Sequence, residues 1–363
     1  MSDNILEIRD LHVSFDMRHG ERIYAVRGID LEVKRGEVLA LVGESGSGKS
    51  VTGKAVLGIL PPSASITSGS IKYNGEELTE LKCDGYNRIR GSEISMVPQD
   101  PFLSLDPIAP VGAQIAESIR KHDTGGRIGR EERRRGALEL MREVGIAAAE
   151  ERYGDHPFRL SGGQRQRIAI AAALAPSPRL LICDEPTTAL DVTIEAQILG
   201  LFERLKRQRA LSMLFITHDL GVVARMADRV AVMYAGRIVE IGEVDEIFYE
   251  PRHPYTWSLL SSVPSGSGGR LRIIPGYVPD MRDPPIGDAF APRSEWAMRI
   301  DHLAHPPFFD ISPTHRVASW LYHKNAPRAE MPSELRELIA ARLEERRRFL
   351  MENGSDKERC EEG

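Results

Sequence analysis

The sequence predicts an α/β protein organised around a phosphate-binding loop, and three stretches carry that prediction. The first is Gly43-Glu44-Ser45-Gly46-Ser47-Gly48-Lys49-Ser50, a G-x-x-x-x-G-K-S run. It lies between an apolar strand-like run, Val38 to Val42, and a helix-like segment, Val51 to Leu60. The second is Leu180-Leu181-Ile182-Cys183, an apolar strand that runs into Asp184-Glu185-Pro186. The third is Leu160-Ser161-Gly162-Gly163-Gln164, a serine and two glycines opening a helix that continues through Leu174.

In the first stretch the glycines let backbone N–H groups turn inward around a polyphosphate, and the following helix N-terminus adds partial positive charge. Lys49 reaches the outer phosphates, and the Ser50 hydroxyl can ligate magnesium. The second stretch offers two carboxylates at a strand end. Successive strand residues point opposite ways, so Asp184 can hold the magnesium shell while Glu185 orients or deprotonates a water. The third is a second anion site at a helix start.

The remaining elements follow in order. Residues 5 to 42 read as short strands, with a turn at Arg18-His19-Gly20-Glu21 and a return at Ile23 to Val26. Phe15 is the first choice for an aromatic stacking on a purine, and Tyr24 the second. Pro61 to Gly75 is polar, with hairpin character at Tyr73-Asn74-Gly75. Ile94 to Gln99 reads as a strand ending in an amide that can touch both metal and water; Asp100 to Pro107 reads as loop. Val111 to Glu151 is helical, and Arg133-Arg134-Arg135 lies on a solvated face. Pro176 and Pro178 end the helix after Leu174. Thr187 to Asp191 is a polar turn, and Thr193 to Arg209 a helix with Ile194, Ile198, Leu201 and Leu205 on one face. Met213 to Thr217 is a buried strand that delivers His218 and Asp219, and a histidine there can hydrogen-bond a terminal phosphate. Val230 to Tyr234 and Arg237 to Ile241 close the sheet. Beyond about residue 250 prolines crowd a loop-rich region behind Ser265-Gly266-Ser267-Gly268-Gly269. Ser333 to Leu350 returns to helix, and Glu352 to Gly363 reads as a disordered tail.

Composition bounds the functional classes. The 363 residues are 41% apolar and 28% charged with net charge −5, ordinary for a soluble globular protein and no mark of a nucleic-acid binder. No apolar run approaches the about 18 residues needed to span a bilayer. The N-terminus, Met1-Ser2-Asp3-Asn4, shows no signal peptide. Cys83, Cys183 and Cys360 are isolated thiols, which suits a reducing cytoplasm and argues against a cysteine metal cage. Membrane association is therefore expected through a partner.

Taken together, the residues resemble the ATP-binding subunits of ABC transporters over positions 5 to about 250. The phosphate loop at 43–50, the signature Leu160-Ser161-Gly162-Gly163-Gln164 and the strand ending in Asp184-Glu185 occur in that family's order. Gln99, Asp191 and His218 stand where the family has its Q-loop, D-loop and H-loop residues. Pro251-Arg252-His253-Pro254-Tyr255-Thr256 looks like the His-Pro-Tyr element of peptide-importer subunits. Ile273-Ile274-Pro275-Gly276 and His315 to Leu321 are similar to later parts of that extension. The resemblance narrows to oligopeptide/dipeptide importer ATPases, the oligopeptide branch above all.

That resemblance implies a P-loop NTPase core with an antiparallel β subdomain and an inserted helical subdomain at about 100–175. It implies an ATPase domain over 1–250, a loop-rich extension over 251–330, and a terminal helix and tail over 331–363. It implies an ATPase using ATP and Mg²⁺ to power oligopeptide import from the cytoplasmic face of the membrane. Ser50, Gln99 and Asp184 would hold the metal; Glu185, His218 and Gln99 would act on the reacting phosphate and water. In a head-to-tail pair, Ser161, Gly162, Gly163 and Gln164 of one subunit would cap the phosphate held by Lys49 of the other, with Asp191 helping across the interface. The implied partners are a second, different ATPase subunit, two transmembrane permeases and an extracytoplasmic peptide-binding protein; no nucleic acid is expected. Some members hold an iron–sulfur cluster through cysteines in the extension. This chain has Ser294 and Ser319 there, so no cluster is predicted, and His302 and His305 read as surface residues.

Dipeptides, nickel or antimicrobial peptides are alternative cargoes. Three other classes fit less well. A translation-associated ABC protein would carry two cores in one chain. A DNA-repair ATPase would separate loop and signature by a long coiled coil, and no sustained heptads occur here. A nucleotide-sensing regulatory protein would be expected to lack Glu185 or Lys49.

Overall fold

The elements that place the three stretches follow directly from apolar runs and turn chemistry. The computed structural model describes residues 3–123, 126, 128–188, 190–262 and 274–361, and the chain divides into two compact units, Met1–Arg237 and Ile238–Gly363. The Gly/Ser run at 265–269 lies outside the described residues, as does Ile273.

The first unit opens with two long antiparallel strands, β1 (Asn4–Asp16) and β2 (Arg22–Lys34), joined through a 3-10 turn at Arg18–Gly20. The sequence suggests several short strands here. The structure instead runs one strand through a register shift near Asp10, whose φ of +43° absorbs an extra residue. The apolar strand β3 (Val38–Val42) is buried along its length and leads through the phosphate loop into α1 (Lys49–Val56). Strands β4 (Ala64–Tyr73) and β5 (Glu76–Glu77) meet in a hairpin whose Asn74 and Gly75 have φ of +49° and +83°, the left-handed pair that Asn-Gly supplies. These strands form an antiparallel sheet in the order β2-β1-β4-β5.

Helix α2 (Cys83–Ile89) precedes β6 (Ile94–Val97). The stretch after Gln99, expected as loop, contains one helical turn, α3 (Pro101–Ser104). Asp100 caps it by accepting the Phe102 N–H at 2.8 Å, and proline at N1 costs no hydrogen bond. The helical pattern from 111 resolves into α4 (Val111–His122), α5 (Arg130–Glu143) and α6 (Ala149–Arg152), followed by α7 (Gly162–Leu174). Then come β7 (Leu180–Asp184), α8 (Val192–Arg209), β8 (Ser212–Thr217), α9 (Leu220–Met226) and β9 (Arg229–Tyr234).

Strands β3, β6, β7, β8 and β9 are parallel in the order β9-β3-β8-β7-β6. Their near-continuous Val/Ile/Leu content is what a sheet covered on both faces requires. Ile115, Met141, Ile168, Ile198 and Phe202 from the helices share one buried cluster with Phe215 of β8. The Phe202 and Phe215 rings meet edge to face, 5.7 Å apart. Each such side chain contributes roughly 1.5–3 kcal/mol on burial.

The second unit contains β10 (Arg237–Glu243), whose first residue closes the first unit, then α10 (Val244–Tyr249) and α11 (Pro254–Ser261). Strands β11 (Phe308–Asp310) and β12 (Arg316–Ala318) pair antiparallel, and β12 pairs with β10. The last helix, α12, spans Ser333–Glu361 and so continues through most of the stretch that reads as a disordered tail. Its surface carries ladder pairs such as Arg348 to Glu344 at 3.2 Å, which support a polar helix.

Fully buried Glu240 of β10 accepts the Arg252 and His253 backbone N–H groups at 2.6 and 2.9 Å and faces His315 Nε2 at 2.7 Å. His253, also fully buried, caps α11 by accepting the Tyr255 N–H on Nδ1 at 3.0 Å. The His-Pro-Tyr element is therefore a helix start anchored to a buried carboxylate. Ser294 and Ser319 accept the backbone N–H groups of Trp296 and Leu321, at 3.2 and 3.4 Å.

Candidate functional site

The site lies at the carboxyl ends of β3, β7 and β8, where neighbouring parallel strands release their loops side by side. Gly43 and Gly48 shape the phosphate loop. Their φ values are +155° and +105°, and a Cβ would fall 2.0 Å from the Met233 carbonyl oxygen at Gly43 and 2.4 Å from that of Ala25 at Gly48. Only glycine fits either place. The loop is also stitched to the strand behind it, since Gly236 N–H donates to the Ser47 carbonyl at 2.9 Å. Ser47 and Lys49 are buried, Glu44 is half-buried, and Ser45 and Gly46 are exposed at the loop crest.

Lys49 is held inside the loop, its ammonium donating to the Gly43 and Glu44 carbonyls at 2.8 and 2.9 Å. Burial lowers its pKa, while Glu185, Asp184 and Glu44 work the other way. An ammonium bonded only to neutral acceptors, in a loop of inward N–H groups, is matched to an anionic ligand.

Ser50 lies in the first turn of α1 and its hydroxyl donates to Asp184 Oδ1 at 2.6 Å. Asp184 is 3% exposed, and burial raises its pKa against the opposing pull of Ser50, Lys54 and Lys49. A buried carboxylate disfavoured by desolvation beside a hydroxyl oxygen is a hard-oxygen pair that suits magnesium. Among the described residues no group of three or more His, Cys, Asp or Glu side chains gathers to hold a metal. Magnesium characteristically keeps water and phosphate oxygens as its other ligands, so the pair fits it.

Glu185 follows at φ +47°, in the left-handed region that a non-glycine residue enters at a cost of roughly 1–2 kcal/mol. Its N–H donates to the Ile216 carbonyl at 2.8 Å, which ties the turn to β8. The carboxylate collects three neighbours. Gln99 Nε2 donates to Oε2 at 2.9 Å, the Thr188 hydroxyl donates to the same oxygen at 3.0 Å, and His218 Nδ1 lies 3.2 Å from Oε1. Gln99 reaches in from the loop after β6 and His218 from the end of β8; both are exposed. Gln99, expected both at the metal and beside the reacting water, contacts the Glu185 carboxylate.

Other predicted residues stand apart from this cluster in their contacts. Ser161 and Gln164 form a capping box: the Ser161 hydroxyl accepts the Gln164 N–H at 3.3 Å, and the Gln164 side chain accepts the Ser161 N–H at 3.0 Å. Gly163 packs under Ile194, where a Cβ would lie 2.5 Å from a methyl. Asp191 caps α8 by accepting the Ile194 N–H at 3.0 Å. Phe15 is half-buried, paired with Ile23, whereas Tyr24 is 40% exposed. Thr188 escaped the sequence reading because its role depends on the backbone turn at Glu185; a hydroxyl three residues after the acid is the only signal. Buried Glu240, His253 and His315 also escaped, beyond the His-Pro-Tyr spacing itself.

Comparison with known proteins agrees with this geometry. The family described as ABC transporter matches residues 26–188, and the family described as oligopeptide/dipeptide transporter, C-terminal region, matches residues 239–300. The oligopeptide transport ATP-binding protein OppD of Bacillus subtilis is 51% identical over 92% of this chain and 93% of its own. The dipeptide transport ATP-binding protein DppD of Lactococcus lactis is 50% identical over 90% of this chain and 93% of its own. Among solved structures, the dimeric MJ0796, a bacterial ABC transporter cassette, aligns with TM-score 0.59 and 30% identity over 66% of this chain and 98% of that one. A dimeric post-hydrolysis state of the same cassette bound to ADP and Pi aligns with TM-score 0.59 and 28% identity over the same shares.

Proposed function

This chain belongs to the ABC transporter family, among the oligopeptide and dipeptide transport ATP-binding proteins, and on that footing we propose that it hydrolyses ATP to power peptide import. The observation that carries the reading is the placement of Lys49 in the phosphate loop, the Ser50–Asp184 pair and the Glu185–His218 contact at neighbouring strand ends.

Each residue takes a role from its contacts. Loop N–H groups and Lys49 bind the β- and γ-phosphates. Ser50 and Asp184 hold magnesium, which when bound neutralises charge on the phosphate oxygens. Glu185 orients the attacking water and takes its proton, and His218 supports the terminal phosphate from beside that carboxylate. Gln99, held at Glu185, would place its amide within reach of the metal and the attacking water. Phe15 stacks on the adenine.

The Ser161 capping box and exposed Asp191 support a head-to-tail pair. Ser161, Gly162, Gly163 and Gln164 offer a helix start to the phosphate held by a second ATPase subunit, a different homologous chain. The solved cassettes to which this chain is similar are dimeric, which supports pairing with a second ATPase subunit. Among the described residues no helix is long and apolar enough to cross a membrane. Two permease subunits would supply the path, an extracytoplasmic binding protein would deliver the peptide, and the chain would sit peripherally on the cytoplasmic face. Cargo is oligopeptide, the substrate in the name of OppD of Bacillus subtilis, to which the chain is 51% identical.

The test is purification of the full chain from detergent-solubilised membranes. Two hydrophobic subunits and a second ATPase should accompany it, with magnesium-dependent ATP hydrolysis. Recovery of the chain alone, or material that binds no ATP, refutes the reading.

A further inference from the structure

Glu185 is held in an unusual way. Its left-handed backbone turns the following residues back over it, so that Thr188 grips it twice: the Thr188 N–H donates to the Glu185 carbonyl at 3.2 Å, and the hydroxyl donates to Oε2 at 3.0 Å. The other donor to Oε2, Gln99, and the neighbour of Oε1, His218, come from separate loops and approach only by their side chains. Thr188 alone belongs to the same turn as the acid. It moves with Glu185 when either loop shifts.

From this geometry, and resting on the ATPase reading above, we propose that Thr188 is a positioning residue for Glu185. Its hydroxyl fixes Oε2, so that Oε1, the oxygen beside His218, is the one presented to water. Two properties make threonine suited to this. The β-branch restricts χ1, so the hydroxyl is aimed before nucleotide arrives. The bond is to an ionised acceptor, which makes it stronger than a neutral pair, and closure by a partner would exclude competing water from this exposed side chain. Of the two donors to Oε2, Thr188 is the one also tied to Glu185 through the backbone. A carboxylate so held keeps a reactive orientation without a contact to substrate from Thr188 itself. A misaimed base slows the chemical step and leaves nucleotide binding intact.

The test uses the full-length chain with the subunits that copurify with it. Magnesium-ATP turnover gives kcat and KM, a fluorescent ATP analogue gives nucleotide affinity, and thermal melting gives stability. Thr188→Val and Thr188→Ala should each lower kcat at least tenfold, with KM and analogue affinity within twofold of wild type. Two hydroxyl-free side chains of different size separate the hydroxyl from packing. Thr188→Ser should keep at least a third of the wild-type kcat. In a Glu185→Gln background, Thr188→Val should cost less than a further twofold in single-turnover rate. A Thr188→Val kcat within twofold of wild type overturns the proposal. So does a serine variant as slow as the valine one, or a loss confined to KM or affinity. A wild-type chain that binds the analogue and never hydrolyses ATP overturns the ATPase reading itself, and this assignment with it.

Discussion

Ser50 Oγ and Asp184 Oδ1 lie 2.6 Å apart although 134 residues separate them in the chain. One stands in the first turn of α1 and the other closes β7, so a helix start and a strand end are joined by a single hydrogen bond. Removing the acid should therefore cost metal-linked nucleotide binding. Asp184→Asn is expected to weaken magnesium-ATP affinity at least tenfold and to lower turnover by about 10²-fold, while metal-free nucleotide binding changes little. Titration of a fluorescent ATP analogue with and without magnesium measures the difference. Equal losses under both conditions would show that the residue does not act through the metal.

Glu185→Gln preserves shape and both donors around the side chain but removes the base. Hydrolysis should fall by about 10²–10⁴-fold with ATP affinity unchanged, because general-base catalysis supplies that range. Unaltered hydrolysis in this variant would assign the base elsewhere.

Phe15 and Tyr24 compete for the adenine. Phe15 presents one half-buried ring face beside Ile23, and it is the expected partner. Phe15→Ala should weaken ATP binding about 3- to 10-fold, the worth of one aromatic stack, and Tyr24→Ala by less than twofold. The reverse order in isothermal titration would transfer the role to Tyr24.

In the second unit, His253 Nε2 and Asp288 Oδ2 stand 3.9 Å apart, with pKa values displaced in opposite directions by burial. Burial lowers that of His253 from 6.5 to about 4, so its stabilising contribution holds above 6.5 and is lost as pH falls toward 4. Burial raises that of Asp288 from 3.8 to about 6, against the Phe290 N–H and His302, so its contribution holds below 3.8 and is lost as pH rises through 6. The two slopes oppose one another between about pH 4 and 6. Asp288→Asn, which keeps an acceptor for Phe290, should raise the melting temperature at pH 7.5 by several degrees, roughly 1–3 kcal/mol, and the gain should vanish by pH 4. A gain that persists at pH 4 would mean that ionisation is not the cause.

The sequence made the phosphate loop, the two acids and the signature serine legible because each is a local pattern on one strand–turn or helix start. What lay beyond it depends on distant partners. Glu240 sits in a run, Arg237 to Glu243, that gives no hint of its complete burial; only the chain's return through Arg252, His253 and His315 supplies its donors. The turn at Pro101–Ser104 was hidden because four residues are too few for a period, though Asp100 before proline is a start signal. The last helix was legible from Ser333 to Leu350, where Leu335 and Ile339 form a buried face; its continuation to Glu361 was hidden because the charged residues after 350 carry no apolar period. The expected break at 250 followed the prolines, whereas the compact units part at Arg237, where the chain leaves β9 through a Gly turn.

The capping box at Ser161 leaves a specific residue of chemistry. Its oxygen is occupied as an acceptor by Gln164 N–H, and its backbone N–H is taken by the Gln164 side chain. Among the described residues the hydroxyl hydrogen has no acceptor. With that hydrogen still to give, this helix start is complementary to a docking group that carries lone pairs.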